Sequence, residues 1–249
     1  MTISIVRLYH DLMGTYGDQG NAEVLIHRAK ARGIDCELIE VTPHMPVPTS
    51  GDIYLIGGGE DGPQTASLRM LQKDGGLSLA IDRGATLFAV CAGFQIIGRE
   101  LPNPDGGSIE GLALLDAITI VDDSPRSVGE LVIEPSVAGL PVFTGFENHQ
   151  GLTELGPEVR PLGRVISGVG NGFDGIEGAW QGNIIATYMH GPALARNPEL
   201  ADVLLANVVG QLAPFEDEFA NELARERRAT LLGKSYTDTY TVQKSNLGN

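Results

Sequence analysis

Cysteine, tryptophan and cationic side chains are scarce in this sequence, and each shortage excludes something. Cys36 and Cys91 are the only cysteines in 249 residues. That is too few for a disulfide framework, so reduced thiols and a cytoplasmic protein are expected. Lys and Arg number 17 against 32 Asp and Glu, a formal net charge of −15. A phosphate backbone needs a basic stripe, so the balance argues against a nucleic-acid partner. It serves solubility and leaves a basic protein partner open. No apolar run is as long as a membrane span, and Met1 to Val6 lacks the basic start of a signal peptide.

Phosphate-binding motifs are missing too. Gly17 to Asn21 is rich in turn residues but lacks the G-x-G-x-x-G spacing. Gly233-Lys234-Ser235 resembles the end of a Walker loop, yet Arg228 stands where its first glycine is required. No cofactor and no metal are expected in this chain. There are no internal repeats.

What is present is an alternation of strand and helix signals. Strands are expected at Ile3 to Leu8, Cys36 to Val41, Asp52 to Ile56 and Thr86 to Val90. Helices are expected from Asn21, as a cap, to about Arg32, then from Pro63 to about Lys73, with another helix before Thr86. This order implies an α/β fold, a mainly parallel sheet flanked by helices, with its ligand site at the carboxyl ends of the strands. After Leu101 helical periodicity fades, and strands at Ala117 to Val121, Gly129 to Ile133, Val142 to Phe146, Arg164 to Ser167 and Ile184 to Met189 suggest additional antiparallel pairing. Helices return near residues 197–232. The expectation is a single domain over residues 1–233, with its motif core at about 3–200, and a polar tail over 234–249.

The chain is organised around Thr86-Leu87-Phe88-Ala89-Val90-Cys91-Ala92-Gly93-Phe94-Gln95. An apolar strand runs into a cysteine, and Ala92 and Gly93 are small enough for a sharp turn into a helix. That is the layout of a nucleophile elbow. The positive end of the helix favours the thiolate, the form that attacks carbonyl carbon. A lone cysteine on an apolar strand is more often a small core residue, and Cys36 keeps that reading. Cys91 departs from it because it falls where a parallel strand delivers a side chain to the sheet edge.

A second strand ends in Gly57-Gly58-Gly59, which is either a plain turn or a loop whose N–H groups meet those of the elbow. In the second case Gly58 and Ala92 would form an oxyanion hole. Sulfur attack on an amide also needs a base that returns its proton to the leaving amine, and histidine suits both steps. Of five histidines, His149 and His190 lie at ends of strand-like runs, and their placement separates them only modestly in favour of His190.

Taken together, Gly57-Gly58-Gly59-Glu60-Asp61, Cys91-Ala92-Gly93-Phe94-Gln95 and Tyr188-Met189-His190-Gly191-Pro192 resemble the class I glutamine amidotransferases, in their cobyric acid synthase-like branch. Tyr16-Gly17-Asp18-Gln19-Gly20-Asn21 and Glu147-Asn148-His149-Gln150-Gly151 are most similar to its stand-alone glutaminase subunits of lipid II isoglutaminyl synthase. The resemblance implies that Cys91 attacks the side-chain amide of L-glutamine, that His190 is the general acid and base, and that a thioester is the intermediate. It implies substrate contacts from Arg126, Gln95 and His149, although Arg126 also reads as an exposed turn arginine.

The implied partner is a Mur-ligase-like synthetase subunit in a heterodimer. That subunit would hold ATP and magnesium and amidate D-glutamate of lipid II. Other acceptors such as a corrinoid, or a stand-alone cysteine hydrolase, are the alternatives. One departure stands out: most class I members carry a glutamate two residues after the histidine, and here that position is Pro192. The site is then a dyad, or another group orients the imidazole, and a carboxylate from the partner is expected in that place.

Overall fold

A computed structural model describes residues 2–233, so the tail expected over 234–249 lies outside the described residues. The first half runs β1 (Thr2–Leu8), α1 (Gly20–Lys30), β2 (Asp35–Val41), β3 (Ile53–Ile56), α2 (Asp61–Asp74), α3 (Gly76–Asp82), β4 (Thr86–Val90) and α4 (Ala92–Ile97). The second half is richer in strands: β5 (Glu100–Pro102), β6 (Ser108–Glu110), β7 (Ala117–Ile120), β8 (Ser127–Pro135), β9 (Phe143–His149), β10 (Leu152–Leu155), β11 (Gly163–Ser167), β12 (Ile176–Glu177), β13 (Ala179–Gln181) and β14 (Ile184–Thr187). Then come α5 (Ala193–Arg196), α6 (Pro198–Val209) and α7 (Glu218–Leu232).

The central sheet has the order β13-β14-β4-β3-β1-β2. Every pair in it is parallel except β13 with β14. Every residue of β3, β4 and β14 is buried, as strands covered by helices on both faces require. The expected α/β class is therefore observed. What the strand pattern alone did not show is that β14 comes back beside β4, in register from Ile184 with Leu87 to Thr187 with Val90. The chain thus leaves the central sheet after the elbow, builds two four-stranded sheets (β10-β7-β5-β6 and β12-β11-β8-β9), and rejoins it next to β4. Five short strands, β5, β6, β10, β12 and β13, were not anticipated, because runs of two to four residues carry almost no alternation.

Two asparagines expected at helix starts have other duties. Asn21 lies inside α1 and is buried, with Oδ1 accepting the Leu194 N–H at 2.9 Å, which ties α1 to α5. Asn197 precedes α6 as expected, but its amide accepts from Thr144 N and donates to Thr144 O, both at 2.8 Å. It spends its polar atoms on β9 rather than on the helix start.

Candidate active site

β4 delivers Cys91 to the carboxyl edge of the central sheet with φ 52° and ψ −109°, a left-handed backbone that costs energy for any residue with a side chain. The turn is held from both sides: Cys91 N–H donates to Thr187 O of β14 at 2.8 Å, and its carbonyl accepts from Gln95 N at 3.1 Å. Gly93 is required by contact. A Cβ there would lie 2.8 Å from Ile56 O and 2.9 Å from Gly57 O, so α4 can start only if that position is bare.

β14 brings the histidine to the same edge. Its ladder stops at Thr187, and three residues further on His190 exchanges backbone hydrogen bonds with Phe146 of β9. The ring is buried. Its Nδ1 lies 2.9 Å from Asp18 Oδ2, and the Asp18 side chain is fully enclosed. Asp18 comes from the loop after β1, 172 residues away in sequence. The carboxylate at the imidazole therefore belongs to this chain, and the expectation of one supplied by a partner is corrected. Burial by itself would pull the His190 pKa down. The hydrogen bond to Asp18, followed by the interaction with Cys91 and the charges of both, pushes it up to about 10. His190 is thus protonated at neutral pH.

Gly58 explains how these groups come so close. A Cβ on it would lie 2.6 Å from His190 Cε1 and 3.4 Å from Cys91 Cβ. Its N–H does not point into open space as the oxyanion reading needed. It donates to Asp18 Oδ2 at 2.8 Å, sharing that oxygen with His190. In this state Gly58 helps to fix the aspartate, and Ala92 is the first residue of α4 and lines the cavity beside Cys91.

In front of Cys91 lies a cavity of about 270 Å³, lined among others by Gln64, Gln95, Arg126, Asn148 and His149. The expected substrate contacts therefore face one space. Gln95 is fixed within a chain of hydrogen bonds: Gln64 Nε2 donates to its Oε1 at 2.7 Å, and its Nε2 donates to Tyr188 Oη at 3.2 Å. Tyr188 Oη lies 2.6 Å from Thr153 Oγ1. Arg126 donates through Nη2 to Asn148 O at 3.1 Å and through Nε to Asn148 Oδ1. The other histidine of the pair has a different setting. His149 stacks on Tyr188 with ring centroids 3.8 Å apart, and its Nδ1 meets Gly151 O at 2.9 Å, so it forms cavity wall while His190 stands at the sulfur. Tyr16, with φ 57°, sets its ring edge-on to His190 at 5.0 Å between centroids and is bonded to the Asn148 amide.

Tyr16, Asp18 and Tyr188 stood in the motifs that carry the resemblance but were given no role of their own from sequence, and Gln64 was not named. For Asp18 a signal existed: its loop directly follows a parallel strand, at the edge where such folds gather reacting groups. Among the described residues no cluster of His, Cys, Asp and Glu is arranged to hold a metal ion, and no helix is long and apolar enough to cross a membrane.

A cysteine under backbone strain, a charged histidine and a buried aspartate, all at the carboxyl edge of a doubly wound sheet, place the chain among α/β enzymes suited to sulfur attack on a carbonyl group. More narrowly, the chain belongs to the CobB/CobQ-like glutamine amidotransferase family, which it matches over residues 4–198, and it is a glutamine-hydrolysing enzyme subunit. It is 34% identical over 238 residues to the lipid II isoglutaminyl synthase (glutamine-hydrolyzing) subunit GatD of Staphylococcus aureus strain N315, covering 94% of this chain and 96% of that protein. It is 33% identical over 234 residues to the GatD subunit of Streptococcus pneumoniae, covering 90% of each. Among solved structures, PurLQS from Thermotoga maritima shares the fold with a TM-score of 0.53 at 14% identity, over 84% of this chain and 98% of the matched one.

Proposed function

We propose that the chain is the glutaminase subunit of an enzyme that amidates the D-glutamate of the lipid II stem peptide, and that Cys91, His190 and Asp18 carry out the hydrolysis. The observation that carries the chemistry is the Nδ1 contact of 2.9 Å between His190 and buried Asp18, beside Cys91 at its elbow. The sulfur of Cys91 attacks the side-chain carbonyl carbon of L-glutamine, and the carbonyl π electrons move to oxygen. Ala92 N–H is one donor to that oxyanion. Gly58 N–H becomes a second only by leaving Asp18. As the tetrahedral species collapses, protonated His190 gives its Nε2 proton to the departing nitrogen, and ammonia leaves a thioester on Cys91. Neutral His190 then takes a proton from water, whose oxygen displaces the sulfur and releases glutamate. Asp18 holds the ring in the orientation that both steps need.

Arg126 supplies a cation for the α-carboxylate of glutamine, with Gln95 and His149 forming the wall along the substrate. End-to-end similarity to two GatD subunits supports the acceptor assignment. The ammonia passes to a Mur-ligase-like synthetase in a heterodimer, and ATP with magnesium acts on that partner. The test is an assay of the complex with lipid II, ATP and either glutamine or ammonium. Cys91→Ser is expected to abolish the glutamine-dependent reaction and to leave the ammonium-dependent one intact. Loss of both would assign Cys91 a structural role, and persistence of both would remove it from the mechanism.

A further inference from the structure

Glu177 is an enclosed carboxylate that the hydrolysis does not use, and what it touches is the segment that ends in His190. After Thr187 the chain leaves the β14 ladder, so the backbone donors of the next residues need other partners. Glu177 Oε1 takes two hydrogen bonds there, from Tyr188 N at 2.7 Å and from Thr187 Oγ1 at 2.8 Å. The Thr187 hydroxyl oxygen in turn accepts Met189 N at 3.0 Å. One carboxylate oxygen thus fixes, directly or through a single hydroxyl, the backbone N–H groups of the two residues immediately before the catalytic histidine. Glu177 and Thr187 are both 0% exposed, so no water competes for these bonds. The anchoring loop is itself tied down: Asn171 accepts Gly178 N at 2.7 Å and donates to Gly178 O at 3.1 Å.

We propose that Glu177 is a positioning residue for the hydrolysis, a clamp on Thr187 to Met189 that holds His190 against Cys91. The inference rests on the glutaminase reading above. Burial, with a smaller contribution from the Glu147 charge, raises the Glu177 pKa to about 7, and the donors at Tyr188 and Thr187 oppose that rise. The accepting oxygen is present in either protonation state, so Gln can replace it and Leu cannot.

The experiment labels the full-length chain with 6-diazo-5-oxo-L-norleucine, a glutamine analogue that alkylates the attacking sulfur: its diazo carbon takes up a proton, the sulfur bonds to that carbon and dinitrogen leaves. The maximal labelling rate is separated from the half-saturating concentration, and the labelled residue is located by mass spectrometry. Glu177→Leu is expected to lower the maximal rate by about 30-fold or more, with half-saturation changed less than about threefold, and Glu177→Gln to stay within about threefold of the parent. Thr187→Val, which removes the hydroxyl that links Glu177 to Met189 N and leaves the Tyr188 N bond to Glu177, is expected to lower the maximal rate by about tenfold and keeps the test available if the Leu protein does not fold. A parent chain labelled at Cys91 together with Leu and Val variants labelled at its rate would overturn the clamp and leave the glutaminase reading standing. A parent chain that is not labelled at Cys91 would overturn both.

Discussion

His190 and Asp18 meet across 172 residues of chain, and their pairing makes stability depend on pH. The folded His190 pKa lies at about 10, against an ordinary value of 6.5. A raised pKa means that the folded state holds its proton more tightly than the unfolded chain does. The stabilisation is therefore complete below about 6.5 and is lost as pH rises through about 10. Asp18→Asn removes the largest influence that raises this pKa, so denaturant unfolding followed across that window is expected to show a flatter dependence than in the parent. The same substitution should lower the glutamine-hydrolysis kcat by roughly 10²-fold, because a misoriented ring transfers protons poorly. Cys91 was legible from sequence at the end of an apolar run, whereas His190 shared that signal with His149 and the family resemblance chose between them. Asp18 was not: a loop aspartate among glycines looks like turn chemistry, and its partner is 172 residues away.

At the level of elements, three loops converge: the one after β1, the triple glycine after β3 and the elbow after β4. They interlock because their backbones approach where side chains would collide. Gly58→Ala puts a methyl group 2.6 Å from His190 Cε1. The expected outcome is a kcat loss of roughly 10²-fold with a stability cost of about 1–3 kcal/mol, read by turnover assay and thermal unfolding. The sequence pointed to Gly58 correctly but for a different duty, since the direction of a peptide N–H depends on what surrounds it, here Asp18. Helices and long strands were placed within a few residues from their periodicity. α2 stops at Gly75, which takes the left-handed region at φ 72°.

Over the whole molecule, the first helix is tied to the late helix α6 by one carboxylate. Asp202 pairs with Arg28 at 2.7 Å and Arg32 at 2.8 Å, and both arginine side chains are only 4% exposed. Asp202→Ala leaves two enclosed cations facing each other. It is expected to cost about 3 kcal/mol in denaturant unfolding while leaving the labelling rate of Cys91 close to that of the parent. By itself the sequence determined the α/β class, the strand that ends in Cys91, the two histidines at strand ends and the family resemblance, because each of these is written in short-range order: apolar runs, glycine turns and motif spacing. Only the tertiary structure decided that β14 returns beside β4, that Asp18 rather than a partner's carboxylate holds His190, and that Gly58 N–H serves that aspartate. These are contacts between segments far apart in the chain, and their partners are chosen by packing, which no local pattern records.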